Sequence, residues 1–502
     1  MKYLDKSLNA ITMYRLLLYG LTILALLGIG FAFAGVLSMS PVGLIISLVL
    51  LVVSCWGTNE LFSRLFKIPA NIESSYITAF ILFLIMPPVV TVFDGVVVVL
   101  VGIIAMASKY VLNFYGKHVF NPAALGVFLI ALGGIGSASW WIGSKVLFIP
   151  VVILGLLIAR KVRRFDVFLS FVIATVIALM VDSYFSKLPM VDVLKTAILS
   201  GPLVFFGAIM LTEPFTLPPT RILRFVYGAF VGMLYGTTVH LGILHSSPEL
   251  ALLIGNIYSY MVSSKRRVIL KLKEMRQMSP SLYDFVFVPN QTISFRAGQY
   301  WDWTLGHSKP DTRGNRRYFT IASSPTESKI HLGVKIPENP STFKQALRAM
   351  KPGDELLGGQ LTGDFTLPDS EKKIVGVAGG IGITPFRSMI KDRVDRHVTT
   401  DMVLFYASPD PKDFAYKEIL DEGRSVGIKT IYLLSGAKVV PPEWRGPTGY
   451  LTKELIEAEV LDYKNRLYYL SGPNVMVESY KKLLREMGIP HSAIHTDYFP
   501  GY

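Results

Sequence analysis

The chain has a single cysteine, Cys55, in 502 residues. One thiol excludes an intrachain disulfide. It also excludes a cysteine-ligated zinc site or iron–sulfur cluster built from this chain alone, which takes several thiolates. Cys55 lies inside an apolar run and reads as a small buried residue. Histidine is scarce as well: upstream of residue 263 there are only His118, His240 and His245. A pair of bis-histidine haems needs four suitably placed histidines, so no haem is expected there, nor any metal. Charge is thin in the same region. Long apolar runs extend to about Val262, charges become dense after Lys265, and the mean hydropathy of the whole chain is +0.45. A boundary is therefore expected near Ser263–Arg267.

What the first half does have is apolar length. Ten spans are read at about 14–37, 41–57, 75–90, 94–107, 119–134, 144–159, 165–182, 196–212, 224–238 and 248–263. Several fall short of the ~20 residues of a straight spanning helix. With the N-terminus placed in the cytoplasm, the cytoplasmic segments carry most of the basic residues, among them Arg160, Lys161, Arg163, Arg164, Lys265, Arg266 and Arg267, while the opposite segments carry Lys145, Lys187 and little else. That asymmetry is the positive-inside bias. It accounts for much of the formal charge of +14 without nucleic acid. The expectation is a multi-pass protein of the cell membrane with both termini cytoplasmic and no cleavable signal peptide, since the first apolar run is long and more membrane follows.

The second half changes pattern twice. From Arg267 to about Pro368 the text alternates as strands do, as in "SLYDFVFVP", where Leu282, Phe285 and Phe287 stand among polar residues. An antiparallel β-barrel is expected. After Glu371 short apolar strands at Ile374–Ala378, Met402–Ala407, Thr430–Leu434 and Leu467–Leu470 are separated by helical stretches, the mark of a doubly wound parallel α/β sheet. The expected domains are thus a polytopic all-α membrane domain at 1–263, a barrel at 264–370 and a nucleotide-binding α/β domain at 371–502. In "VAGGIGITPF", residues 377–386, Gly379, Gly380 and Gly382 follow the first of these strands, and Thr384 and Pro385 open a helix. Glycines let backbone amides approach a phosphate, and a helix N-terminus favours the anion. A plain strand-to-helix turn would look much the same.

The neighbours add to this. "RRYFTIASSP" at 316–325, "GGIGITP" at 379–385 and "SGPNVMVES" at 471–479 resemble, in order and spacing, the ferredoxin–NADP reductase family over about 267–502. The resemblance implies an FAD domain followed by a nicotinamide domain. Arg317 matches the family's phosphate-binding arginine and Thr320 the hydroxyl residue near the reactive flavin nitrogen. Phe319 stands where the family has a stacking tyrosine, which keeps the aromatic face and loses a hydroxyl; Tyr318 is the neighbour that would compensate. Ser341 and Thr342 in "PSTFKQAL" match the stretch that holds the pyrophosphate. Ser471, Gly472 and Pro473 replace a Cys-Gly-Pro stretch near the nicotinamide, with Met476 read as helix packing. Phe499 and Tyr502, in "DYFPGY", are candidates to cover the flavin. An arginine fork on phosphate and a hydroxyl donor at the ring suit this chemistry. In "YASPDPKD" Asp410 suits the free ribose hydroxyls of NADH and repels the phosphate of NADPH, although Lys412 and Lys417 are close by.

In the first half, "SKYVLNFYGKHVFNPAALG" at 108–126 and "MLTEPFTLPPT" at 210–220 resemble the NqrB/RnfD-like membrane proteins of the sodium-pumping NADH:quinone reductase and the Rnf complex, over about 1–262. Asn121, Pro122, Thr212, Glu213 and Pro214 are the candidates for a membrane flavin, where prolines interrupt helices at membrane depth. Prolines at the first turns of ordinary helices would read the same way. Those relatives attach FMN through a threonine in a Ser-Gly-Ala-Thr stretch, which this chain lacks, so non-covalent FMN is expected. Ferric reductases and NADPH oxidases also fuse such a reductase to a membrane domain, but the histidine count argues against their haems. Ion pumping is not indicated, since Glu213 and Asp182 both lie at span ends.

The combined expectation is a membrane flavoprotein that takes hydride from NADH or NADPH onto FAD, with Thr320 and Ser471 at the reacting centre. Electrons then pass to the membrane carrier and onward to quinone or an extracytoplasmic acceptor. Two alternatives stay open: an NADH:quinone reductase without transmembrane electron flow, and a transporter-like channel with a redox-sensing flavin module.

Overall fold

The computed structural model describes residues 11–66, 72–114, 117–162, 164–238, 240–241, 244–263, 268–307, 311, 315–368, 373–436 and 440–497. Phe499 and Tyr502, and the side chains of His240 and His245, lie outside the described residues. The chain divides into two compact units between Lys265 and Arg266.

The first unit is helical. Among the described residues, four helices are long and apolar enough to cross a membrane: Met13–Phe33, Pro41–Phe66, Val92–Val111 and Phe165–Phe185. Ile72–Ile85 and Pro122–Leu132 are apolar but shorter. The run expected as one span at 196–212 lies in a bent pair, Met190–Leu199 and Leu203–Met210, meeting at 58°. Proline offers no amide for the helical ladder, so Pro202 breaks it. Gly201 sits so close to the Ala197 carbonyl that a Cβ would lie 2.6 Å from it. Beyond the break, Phe206–Met210 is wound as a π-helix.

Arg221–Gly236 packs on Phe165–Phe185 through a row of small residues. Gly228, Gly232 and Gly236 recur every fourth position, and a Cβ on each would meet the carbonyls of Val167, Phe171 and Thr175 at 2.6, 2.5 and 2.8 Å. In lipid, close backbone approach replaces the hydrophobic drive that holds helices together in water. The sequence reading did not use this repeat.

The second unit holds two sheets. The first is antiparallel, with strands β1 (Val268–Gln277), β2 (Leu282–Pro289), β3 (Tyr300–Thr304), β4 (Arg316–Thr320), β5 (Ile330–Lys335) and β6 (Glu355–Thr362) in the order β4-β3-β6-β1-β2-β5. Just past β4, the Ala322 N–H donates to the carbonyl of His331 in β5, so a hydrogen bond joins the two edges (2.9 Å). Trp301, Trp303, Phe285, Phe287 and Phe343 fill the interior. In β2 the alternation read from the sequence does not appear as burial: Leu282 to Phe287 are all buried, Asp284 included. One face of β2 meets the apolar interior, while Asp284 meets His331 and Tyr416 on the other.

The second sheet is parallel: β7 (Ile374–Gly379), β8 (Met402–Ser408), β9 (Ile428–Leu434), β10 (Leu467–Ser471) and β11 (Ile494–Asp497), in the order β9-β8-β7-β10-β11. Separate apolar clusters cover its two faces, as in a doubly wound fold. The sequence reading missed β11, which is four residues long. The strand order reverses between β7 and β10. In sheets of this kind ligands bind in the crevice at that reversal, outside the carboxyl ends of the strands.

Candidate functional site

Both motif loops of the second sheet open onto that crevice. Gly379–Gly382 leaves the end of β7, and Ser471–Pro473 leaves the end of its neighbour β10, where Ala378 pairs with Ser471. Gly380 has φ +53, and an added Cβ would have nothing within 4 Å among the described residues, which leaves room there for an approaching ligand. Gly382 is the opposite case: a Cβ there would stand 2.4 Å from the Ser471 carbonyl oxygen. The two loops are in backbone contact, and only glycine fits. Pro385 stands in the first turn of helix Thr384–Asp395, where a missing amide costs nothing. The Thr384 hydroxyl donates to the Ile381 carbonyl and closes the turn (3.1 Å). Met476 packs against Gly379 and Gly472, as expected of a packing residue. At the end of β8, the Asp410 carboxylate accepts the Lys412 amide (2.9 Å) and is exposed.

The first sheet contributes β4. Arg317 and Phe319 share one face of this strand and both pack at Phe343: the guanidinium lies 5.3 Å from its ring centre and the Phe319 ring 6.0 Å. Tyr318 is on the other face, edge-on to Tyr300 at 5.8 Å, so the strand does not bring it beside Phe319. Arg317 is 5 % exposed and donates to both oxygens of Asp311 (2.9 and 3.1 Å). The Asp311 amide in turn donates to the Thr342 hydroxyl (2.9 Å), and a ring nitrogen of His307 lies 3.1 Å from the same oxygen. Ser341 caps helix Thr342–Ala349, accepting the Lys344 amide. Arg317, Thr342 and Ser341 are therefore assembled at one place, with His307, Asp311 and Phe343 as neighbours the sequence reading did not name. A buried guanidinium flanked by a hydroxyl and a helix N-terminus is a donor set suited to a phosphate.

Asp497, which sequence reasoning missed, neighbours both Thr320 and the strand that ends in Ser471. Asp497 pairs in register with Ser471 across the parallel strands β10 and β11. Burial pushes its carboxyl up to about 7, and the Thr320 hydroxyl beside it opposes that rise. One acid thus stands between the hydroxyl that ends β4 and the turn that ends β10. The only sequence signal was an acidic residue in an otherwise aromatic C-terminal stretch.

In the helical unit the structure brings some candidates together and spends others. Asn121 caps helix Pro122–Leu132, and its side-chain amide donates to Glu213 (2.8 Å). Its backbone amide donates to Asn256, which donates to the Tyr227 hydroxyl (2.8 and 3.2 Å). His118 is 3.6 Å from Glu213. Thr212 is buried and its hydroxyl donates to the Ala208 carbonyl one turn back, so its proton is used within the helix (2.6 Å). Pro122 and Pro214 both occupy first-turn positions. A further buried acid, Glu249, accepts from the Trp140 indole (2.8 Å).

Residues 377–482 match the oxidoreductase NAD-binding domain family. The module is similar to the F subunit of the Na(+)-translocating NADH-quinone reductase of Actinobacillus succinogenes, 28% identical over 199 residues, or 37% of this chain and 49% of that one. It is also similar to the glycine betaine monooxygenase reductase subunit of Chromohalobacter salexigens, 25% identical over 43% of this chain and 59% of that one. Among solved structures it is similar to a ferredoxin NADP+ reductase from Neisseria gonorrhoeae with bound FAD and NADP (18% identity, TM-score 0.41, 47% of this chain and 99% of that one). The chain spans about half the length of the Na(+)-translocating reductase relatives it matches. The C-terminal unit thus carries an NAD-binding domain of the oxidoreductase type, and several apolar helices precede it in the chain.

Proposed function

We propose that the chain is a membrane-bound NADH oxidoreductase in which FAD on the first sheet serves a membrane-domain carrier. When bound, the nicotinamide supplies a hydride, and the flavin takes two electrons and releases them one at a time. The observation that carries this reading is Asp497, which neighbours both Thr320 of the first sheet and the strand of the second that ends in Ser471.

On this reading Arg317, Ser341 and Thr342 hold the flavin pyrophosphate, Phe319 faces the ring, and Thr320 offers it a hydroxyl. Tyr318 acts only through the opposite face of the strand. The loop from Gly379 to Gly382, with Thr384 and Pro385, takes the nicotinamide pyrophosphate. Ser471, Gly472 and Pro473 flank the nicotinamide, and Phe499 or Tyr502 covers the flavin. The domains run 1–263, 264–370 and 371–502, with the first sheet curled as a barrel. The membrane domain is NqrB/RnfD-like, with ten spans and both termini cytoplasmic in the cell membrane. There the Asn121–Glu213–His118 cluster, with Pro122, Thr212 and Pro214, borders a non-covalent FMN. Its polar atoms are the hydrogen-bonding groups such a ring needs. Electrons leave for quinone or for an acceptor on the far side.

Counting flavins released from the detergent-purified protein tests the relay. FAD and FMN together, with NADH consumed, are the expected result. FAD alone with quinone reduction points to the simpler quinone reductase, and FAD with no NADH oxidation to the redox-sensing module. The coenzyme choice has its own test. Removing the carboxylate in Asp410→Asn is expected to raise kcat/KM for NADPH relative to NADH by about tenfold, roughly 1.4 kcal/mol of discrimination. An unchanged ratio means that Asp410 does not select the coenzyme.

A further inference from the structure

Five side chains outside the site described above form a closed ring across the two sheets of the second unit. Arg387, in the first turn of helix Thr384–Asp395, donates to the Ala322 carbonyl (3.0 Å) and to Glu327 Oε1 (2.9 Å), and also contacts Glu327 Oε2. Glu327 lies 4.0 Å from His331 Nε2, and His331 Nδ1 is 2.8 Å from Asp284. Asp284 accepts the Tyr416 hydroxyl (2.9 Å), and the Tyr416 ring lies 5.6 Å from the Arg387 guanidinium. Burial and the Asp284 carboxylate hold the Tyr416 hydroxyl well above the usual phenol range, so it stays a donor. Beside the ring, the Ser388 hydroxyl donates to the Ser323 carbonyl (2.6 Å).

Stability alone is a poor account of this ring. Arg387 is 3 % exposed, and its Nε–H is buried with no hydrogen-bond partner among the described residues, which costs free energy. Buried ion pairs contribute little over an apolar filling of the same volume. What a bidentate guanidinium supplies is fixed direction. Its two ends are informative. Ala322 is two residues past Thr320. Arg387 is three residues past Thr384, where the glycine loop enters its helix.

We infer that Arg387 is a positioning residue for hydride transfer: by tying the Ala322 carbonyl and Glu327 to the start of the glycine-loop helix, it fixes how far the Thr320 strand end stands from the nicotinamide loops. It touches neither ligand. The inference rests on the proposed function, because it needs a hydride donor at one loop and an acceptor at the other. Lysine can reach the carbonyl or the carboxylate, not both in one geometry.

The test uses full-length protein carrying FAD, with Arg387→Lys compared to the parent by rapid mixing with NADH and with deuterated NADH. The expected variant keeps its FAD and its apparent NADH dissociation constant. Its limiting rate of flavin bleaching falls roughly 10- to 100-fold, the scale for a misplacement of about 1 Å, and its isotope effect rises. An unchanged limiting rate per bound FAD overturns the inference. Should the lysine variant fail to hold FAD, Glu327→Gln, which keeps the Arg387–Ala322 bond, carries the test: slower bleaching at unchanged NADH affinity supports positioning, and a parental rate overturns it. If NADH does not bleach the parent protein, the proposed function itself fails, and that result is separate from any difference between variants.

Discussion

Gly382→Ala is expected to reduce NADH-dependent flavin bleaching by about 100-fold or more while leaving FAD in place. A single methyl group does this because of where it points. It would lie 2.4 Å from the Ser471 carbonyl oxygen, 2.6 Å from the Ser471 carbonyl carbon and 2.7 Å from the Gly472 Cα, all of them backbone. No rotamer relieves such a contact, so one loop must move away from the other. Overpacking of this kind typically costs about 1–3 kcal/mol of stability. The larger effect is on rate, since shifting a reacting group by about 1 Å can lose two orders of magnitude. The six-stranded sheet is not touched, so flavin content is the internal control. Gly380→Ala makes the contrast: its methyl group meets open space, and the cost is the positive φ alone, about 1–2 kcal/mol. Equal rates for Gly382→Ala and the parent would show that contact between the two loops is irrelevant to turnover.

Asp497→Asn is expected to act through protons. In the folded chain the carboxyl titrates at about 7 instead of 3.8 because it is buried. The folded state therefore holds a proton that the unfolded state has released across that window. Stability from this group falls as pH rises from the lower value to the higher one. Above it, the buried charge costs at most about 4 kcal/mol, from 1.36 kcal/mol per pH unit. The asparagine variant should therefore melt higher than the parent at about pH 8 and match it more closely near pH 5, with the full chain followed by flavin release. Turnover should move the other way. A carboxyl between Thr320 and Ser471 that is half-protonated near neutrality suits proton exchange with the reacting centre, which is worth roughly 10²-fold or more. The parent is expected to show an inflection near pH 7 in its bleaching rate, and the variant a flat, slower profile. Identical profiles would leave Asp497 a structural residue.

Much of the second unit was legible because its signals are local. Gly379, Gly380 and Gly382 mark a strand-to-helix turn by their spacing, and short apolar strands between helices announce the parallel sheet. Motif order also singled out Arg317 and Thr342, which the fold places on either side of Asp311. What escaped reading depends on partners far along the chain. Asp497 looks like a surface acid until β11 lays it beside Ser471. Asp284 looks like the polar side of a strand until His331 and Tyr416 enclose it. Arg387 is one arginine in a basic helix until Glu327 arrives from the other sheet. In the helical unit, hydropathy shows where apolar residues are but not where a helix bends, so the run at 196–212 carried no sign of where it breaks, at Pro202, or of the π-turn after it. Gly228, Gly232 and Gly236 were there to be read, as a stripe of small residues, and hydropathy does not weigh them.

The pairing of Arg317 with Asp311 has a consequence for how the protein is made. The guanidinium already has an internal counter-ion, so closing the six-stranded sheet around it leaves no bare charge to be neutralised from outside. On the proposed function, folding of this sheet and cofactor loading are thereby separable in time: the sheet can close first, and the dinucleotide can be fitted last.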